Sequence, residues 1–142
     1  MSWVVDGSNV LGGSRESTET KRELVRRLAQ FARLRRVRVA CYFDGPEPEH
    51  FGKHLGQVTI IFSGTRSADE LIAQRVAERS GWKLVTSDGP LAGRLGGRRV
   101  EVVASSKLLR MLEEDARQQG SDGAAADDWQ AWFSDPKNRN VF

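Results

Sequence analysis

The chain has 142 residues, of which 39% are hydrophobic and 29% charged, and its formal net charge is +3. That is one domain of globular balance, large enough to bury a core without a disulfide or metal staple. No apolar run approaches the roughly 18 residues of a membrane span, and the start, Met1-Ser2-Trp3-Val4-Val5-Asp6, lacks the basic region of a signal peptide. The single cysteine, Cys41, excludes an internal disulfide and a Cys-based zinc site. Its apolar neighbours fit a buried thiol in a reducing, cytoplasmic setting.

Charge is unevenly spread. From Met1 to Arg38 nine bases face four acids; from Glu113 to Phe142 seven acids face three bases. The front is basic and the tail acidic.

In chain order, Trp3-Val4-Val5 reads as a short strand that stops at the turn-rich group Asp6-Gly7-Ser8-Asn9. A helical period runs from Ser17 or Thr18 to about Leu34, with Leu24, Leu28 and Phe31 on one face and Arg22, Arg26 and Arg33 on another. Val37 to Phe43 is a second strand, ending at Asp44-Gly45-Pro46. A long loop follows, with a short helical turn expected near His54. Val58 to Phe62 is a third strand. Ser67-Ala68-Asp69-Glu70 has the pattern of a capping box and opens a helix that stops near Gly81. Trp82 to Thr86 is a fourth strand, ending at Ser87-Asp88-Gly89, and a short helix is expected around Pro90 to Leu95. Val100 to Val103 is a fifth strand, and Ser105 to about Gln118 the last main helix.

Short β-branched strands alternating with helices imply an α/β fold. The sheet should be mainly parallel and five-stranded, with helices on both faces and the first strand central. The organisation expected is a domain over residues 1–118. Residues 119–142 would form a linker and a short helix whose Trp129, Trp132 and Phe133 make an apolar stripe.

In a parallel sheet all strand C-termini share one edge, and ligands bind in the crevice outside it. Asp6 ends the first strand, Asp44 ends the second and Asp88 follows the fourth. Asp69 lies in the first turn of the helix after the third strand. Each alone has a plain reading as a turn or cap residue. Four together on one rim repel each other, and a hard divalent cation such as Mg²⁺ or Mn²⁺ removes that repulsion. The chemistry that follows is metal-assisted phosphodiester hydrolysis.

Val4-Val5-Asp6-Gly7-Ser8-Asn9-Val10, Phe43-Asp44, Ala68-Asp69-Glu70-Leu71-Ile72 and Thr86-Ser87-Asp88 resemble the successive motifs of NYN-domain proteins. The resemblance is to the bacterial YacP-like branch of the PIN-like nucleases, and it covers roughly Met1 to Glu114. It implies a PIN-like three-layer fold with strand order 3-2-1-4-5. It also implies divalent-metal ribonuclease activity, with single-stranded RNA as the substrate expected. By the matching positions, Asp6, Asp69 and Asp88 would bind metal, and Asp44 would support them or bind metal too. Asn9 would orient an acid or a phosphate oxygen, while Thr86 and Ser87 would hydrogen-bond in the same pocket. The partners expected are RNA, and a ribosome or another RNA-processing protein; the chain would act as a monomer or homodimer, without a membrane. The alternative is a catalytically inactive RNA-binding or protein-interaction module of the same fold.

Competing motifs are weaker. Gly7 to Ser14 is close to a P-loop, but Gly13 stands where the lysine belongs. His50 and His54 are spaced for zinc on a helix but lack a complete ligand set. No serine sits in a nucleophile elbow. Among the arginines, Arg15 and Arg66 fall in loops at the carboxylate edge and are the candidates for phosphate contacts; arginines there would position the backbone without reading bases. The run Arg33 to Arg38 lies at the opposite end.

Overall fold

The computed structural model describes residues 2–12, 17–78, 81–95 and 100–119. Its elements, in order, are β1 (Ser2–Asp6), α1 (Gly7–Leu11), α2 (Thr18–Arg35), β2 (Arg38–Phe43), β3 (His54–Leu55), β4 (Val58–Phe62), α3 (Ala68–Glu78), β5 (Trp82–Val85), α4 (Gly89–Leu95), β6 (Glu101–Val103) and α5 (Ser105–Gln119). The sheet runs β3-β4-β2-β1-β5-β6. Every pairing is parallel except β3 with β4.

Alternation along the strands divides the core in two. Trp3 and Val5 of β1 and Val39, Cys41 and Phe43 of β2 pack with Leu24, Leu28 and Phe31 of α2 and Leu108 and Leu112 of α5. Val4, Ala40 and Tyr42 point the other way, onto Ile72 and Val76 of α3 and Leu91 of α4. The result is three layers, helices on both sides of the sheet. β1 lies between β2 and β5, and Val4 and Val5 are both fully buried, as expected of a central strand. Burying a side chain of this size stabilises the fold by roughly 1.5–3 kcal/mol.

Several local expectations need correction. The sheet has six strands among the described residues, not five. The segment near His54 is an edge strand rather than a helical turn, because the left-handed Gly56 (φ 57°) folds the chain back along β4. Ile60 N–H donates to Lys53 O at 2.8 Å across this hairpin. Without β3, the remaining order is the expected 3-2-1-4-5. The Asp6-Gly7-Ser8-Asn9 group is also not a simple turn. It winds into α1, capped at its start by the Asp6 carboxylate and at its end by Gly12 at φ 77°. Gly7 makes this possible: a Cβ there would lie 2.6 Å from the Phe43 ring and 2.9 Å from Tyr42 O.

α2 starts with a reciprocal capping box between Ser17 and Thr20. Near its end Arg35 grips the buried Asp115 of α5 through Nε and a terminal nitrogen at 3.3 and 3.0 Å. Only half of the Ser67–Glu70 box forms: Glu70 N–H donates to Ser67 Oγ, while the Glu70 carboxylate accepts from Arg66 Nε. Among the described residues no helix is long and apolar enough to cross a membrane. Arg15 and the Trp129/Trp132/Phe133 stripe lie outside the described residues.

Candidate active site

The C-terminal ends of β1, β2 and β5 open on one hollow of about 420 Å³, lined by Asp6, Ser8, Asn9, Gly12, Asp44, Ser67, Asp69 and Asp88. The four aspartates that sequence separates by up to 82 positions therefore share one wall.

Asp6 is the innermost, at 4% exposure. One carboxylate oxygen accepts from Asn9 N–H at 3.3 Å, which caps α1; the other accepts from the Thr86 hydroxyl at 3.2 Å. Burial dominates its electrostatics and pushes its pKa up to about 7; the neighbouring charges of Asp69 and Asp44 push the same way, against the two hydrogen bonds. Asp6 is a buried acid whose charged form still needs a counter-charge.

Asp44 is held by its own backbone N–H, which donates to Ser8 Oγ at 2.8 Å. Its Oδ1 accepts from Ala68 N–H at 2.8 Å and so anchors the start of α3. Asp69, the next residue, is thereby delivered to the hollow. Asp88 caps α4 by accepting from Leu91 N–H at 3.1 Å. Asp44 and Asp88 thus do the capping work that aspartates usually do, and each keeps a second oxygen outside those bonds.

Thr86 is 2% exposed and ties the acids together. Its hydroxyl donates to Asp6 and accepts from Asp88 N–H at 3.0 Å. It touches the Asp6 carboxylate directly and Asp88 only through its backbone. Asn9 sits at the rim. Its side-chain oxygen accepts from Ser87 N–H and from Ser105 Oγ, both at 2.7 Å. Two donors on one atom identify that atom as the oxygen. The NH₂ is the group left to donate to a ligand. Ser87 Oγ accepts from Ser105 N–H at 3.1 Å, closing the network. Arg66 stands in the loop before α3 but pairs with Glu70 at 3.1 Å and does not line the hollow.

Ser105 and Ser8 escaped the sequence reading. The only signal for Ser105 was its place as the first residue of a helix after a strand, which in a parallel sheet is the same edge. Ser8 was hidden inside what looked like a turn.

Among the described residues the donor set suits a hard divalent cation: carboxylate oxygens, no soft ligand, and a buried acid without a cation. Among the described residues, no three His, Cys, Asp or Glu side chains already meet closely enough to hold an ion. The alternatives are weaker here. Asp6 occupies the helix end where a P-loop would hold phosphate. His50 lies in a turn at φ 61° and His54 in β3, so they share no helix face.

The profile of the YacP-like NYN domain matches residues 3–136. This chain belongs to the YacP-like NYN domain family. The domain is of nuclease type. Two solved structures of Rae1 (YacP) from Bacillus subtilis are similar. One is 20% identical, covers 92% of this chain and 84% of its own, and superposes with a TM-score of 0.71. The other, a W164L mutant, is 24% identical, covers 82% and 77%, and has a TM-score of 0.66. At these identities the likeness is one of fold. No curated protein sequence matches this chain.

Proposed function

We propose that this YacP-like NYN domain is a divalent-metal-dependent endoribonuclease that hydrolyses single-stranded RNA, with Mg²⁺ or Mn²⁺ as cofactor. The observation that carries the reading is the convergence of Asp6, Asp44, Asp69 and Asp88 on one hollow around a buried, uncompensated carboxylate. Asp6, Asp69 and Asp88 would hold the ion, with Asp44 supporting through the oxygen that does not cap α3. When bound, the ion supplies a more acidic water and neutralises charge on the phosphate.

The chain's own groups supply the rest. Thr86 holds Asp6 and the Asp88 backbone in fixed relation. The Ser87–Asn9–Ser105 network locks the Asn9 amide so that its NH₂ can donate to a phosphate oxygen. Arg66, in the loop before α3, is the cation for the RNA backbone, which it would position without reading sequence.

The test is cleavage of an end-labelled single-stranded RNA by wild type and Asp88→Asn, each with Mg²⁺ and with EDTA. Asparagine caps helices as well as aspartate does, so the fold should persist. Loss of several kcal/mol of charge stabilisation predicts a fall of about a hundredfold or more. Equal rates in all four reactions would exclude the mechanism. A second reading, an inactive RNA-binding module, draws on the capping roles of Asp44 and Asp88. It predicts salt-sensitive binding without metal-dependent turnover.

A further inference from the structure

A second, basic feature lies at the other end of the molecule. A groove of about 880 Å³ runs between α2 and the β3–β4 turn. Its floor is Ala29, Ala32 and Val37, and Leu55, Gly56 and Gln57 close one side. Among the described residues five arginines line it, Arg26, Arg27, Arg33, Arg36 and Arg38, against the single acid Glu23. That acid is engaged by Arg26 at 3.0 Å and Arg27 at 3.3 Å. By formal charge, the charged residues of the described lining are therefore mostly cationic.

A solvated helix end does not account for the cluster. Cations in the last turn complement the helix dipole, which covers Arg33 and Arg35. Arg38 is on a strand and Arg26 is more than two turns up the helix. Arg26, Arg33, Arg36 and Arg38 are all exposed. Arg26 and Arg33 are seven residues apart on α2, about 10 Å along its axis. Cations spread over that length suit several successive phosphates rather than one small anion.

We propose that this groove binds the phosphate backbone of an RNA segment other than the one being cut. Arg38 opens β2 and Asp44 follows its end, so the Arg38 end of the groove lies about 20 Å from that carboxylate. One scissile phosphate cannot occupy both. The proposal takes only its choice of RNA from the nuclease reading.

The test measures binding of a fluorescein-labelled RNA hairpin in EDTA, at several salt concentrations. The proteins are wild type, Arg33→Gln/Arg38→Gln, and Arg110→Gln/Arg117→Gln. The last pair removes the same charge from exposed positions on α5. The groove variant should bind about tenfold or more weakly, with its salt slope reduced by up to about two; the α5 variant should change little. Cleavage of a short single-stranded oligonucleotide in Mg²⁺ should be unchanged in the groove variant, which separates this surface from the carboxylate site. Binding arises without turnover, so an inactive domain would leave this result standing. Equal binding by the two variants would overturn the proposal. So would unchanged RNA affinity with a loss of thermal stability matching deletion of residues 120–142, because the groove would then serve the acidic tail.

Discussion

Replacing Asp6 by Asn should make the metal-free protein more stable while abolishing its activity. The folded-state pKa of Asp6 is about 7, against an ordinary 3.8. Below pH 4 the carboxyl is protonated in both folded and unfolded chains, and its stability contribution is fully present. Between about pH 4 and 7 the folded chain binds the proton that the unfolded chain has released, so stability falls as pH rises. Above pH 7 the penalty is constant. Three pH units at 1.36 kcal/mol each set it at about 4 kcal/mol. Asparagine carries no charge and can still accept from Asn9 N–H. Its less suitable bond with Thr86 should cost about 1 kcal/mol. The variant should therefore be about 3 kcal/mol more stable at pH 8 in EDTA, or about 10 °C in midpoint for a chain of this size. At pH 5 most of that advantage should vanish. Mg²⁺ should then raise wild type by about 3 kcal/mol at a hundred times its dissociation constant, and leave the variant nearly unmoved. Urea unfolding followed by circular dichroism at pH 5 and pH 8, with EDTA and with Mg²⁺, reads all four conditions. An Asp6→Asn protein less stable than wild type at pH 8 without metal, or an advantage independent of pH, would refute the reasoning.

Two structural substitutions test the scaffold. Gly7→Ala should destabilise by roughly 1–3 kcal/mol, because the new Cβ meets Phe43 and the Tyr42 carbonyl; a denaturation midpoint equal to wild type would show that β2 can yield there. Arg35→Met leaves the Asp115 carboxylate buried without its bidentate partner and should cost about 3 kcal/mol. Adding Asp115→Leu should recover part of that loss in the same urea assay, and a double variant no better than the single one would argue against an uncompensated charge.

The alternation of Trp3 and Val5 with Val4, and of Val39, Cys41 and Phe43 with Ala40 and Tyr42, already implies a sheet covered on both faces. Once the sheet is parallel, Asp6, Asp44 and Asp88 must share an edge, because every strand ends there. Those inferences rest on local period and strand direction, which sequence carries. The β3 hairpin was not legible, since two exposed residues have no period to read and only Gly56 bends them back. α1 was hidden because Asp-Gly-Ser-Asn is turn chemistry until β2 packs against Gly7. Thr86 bridging Asp6 across 80 positions, and Ser105 reaching Asn9 across 96, are contacts between distant segments. So is the groove between α2 and the β3–β4 turn. The raised pKa of Asp6 is equally a product of burial, which no local pattern encodes. Sequence determined which chemistry arrives at the edge; tertiary packing decided which carboxylate loses its water, and what holds it there.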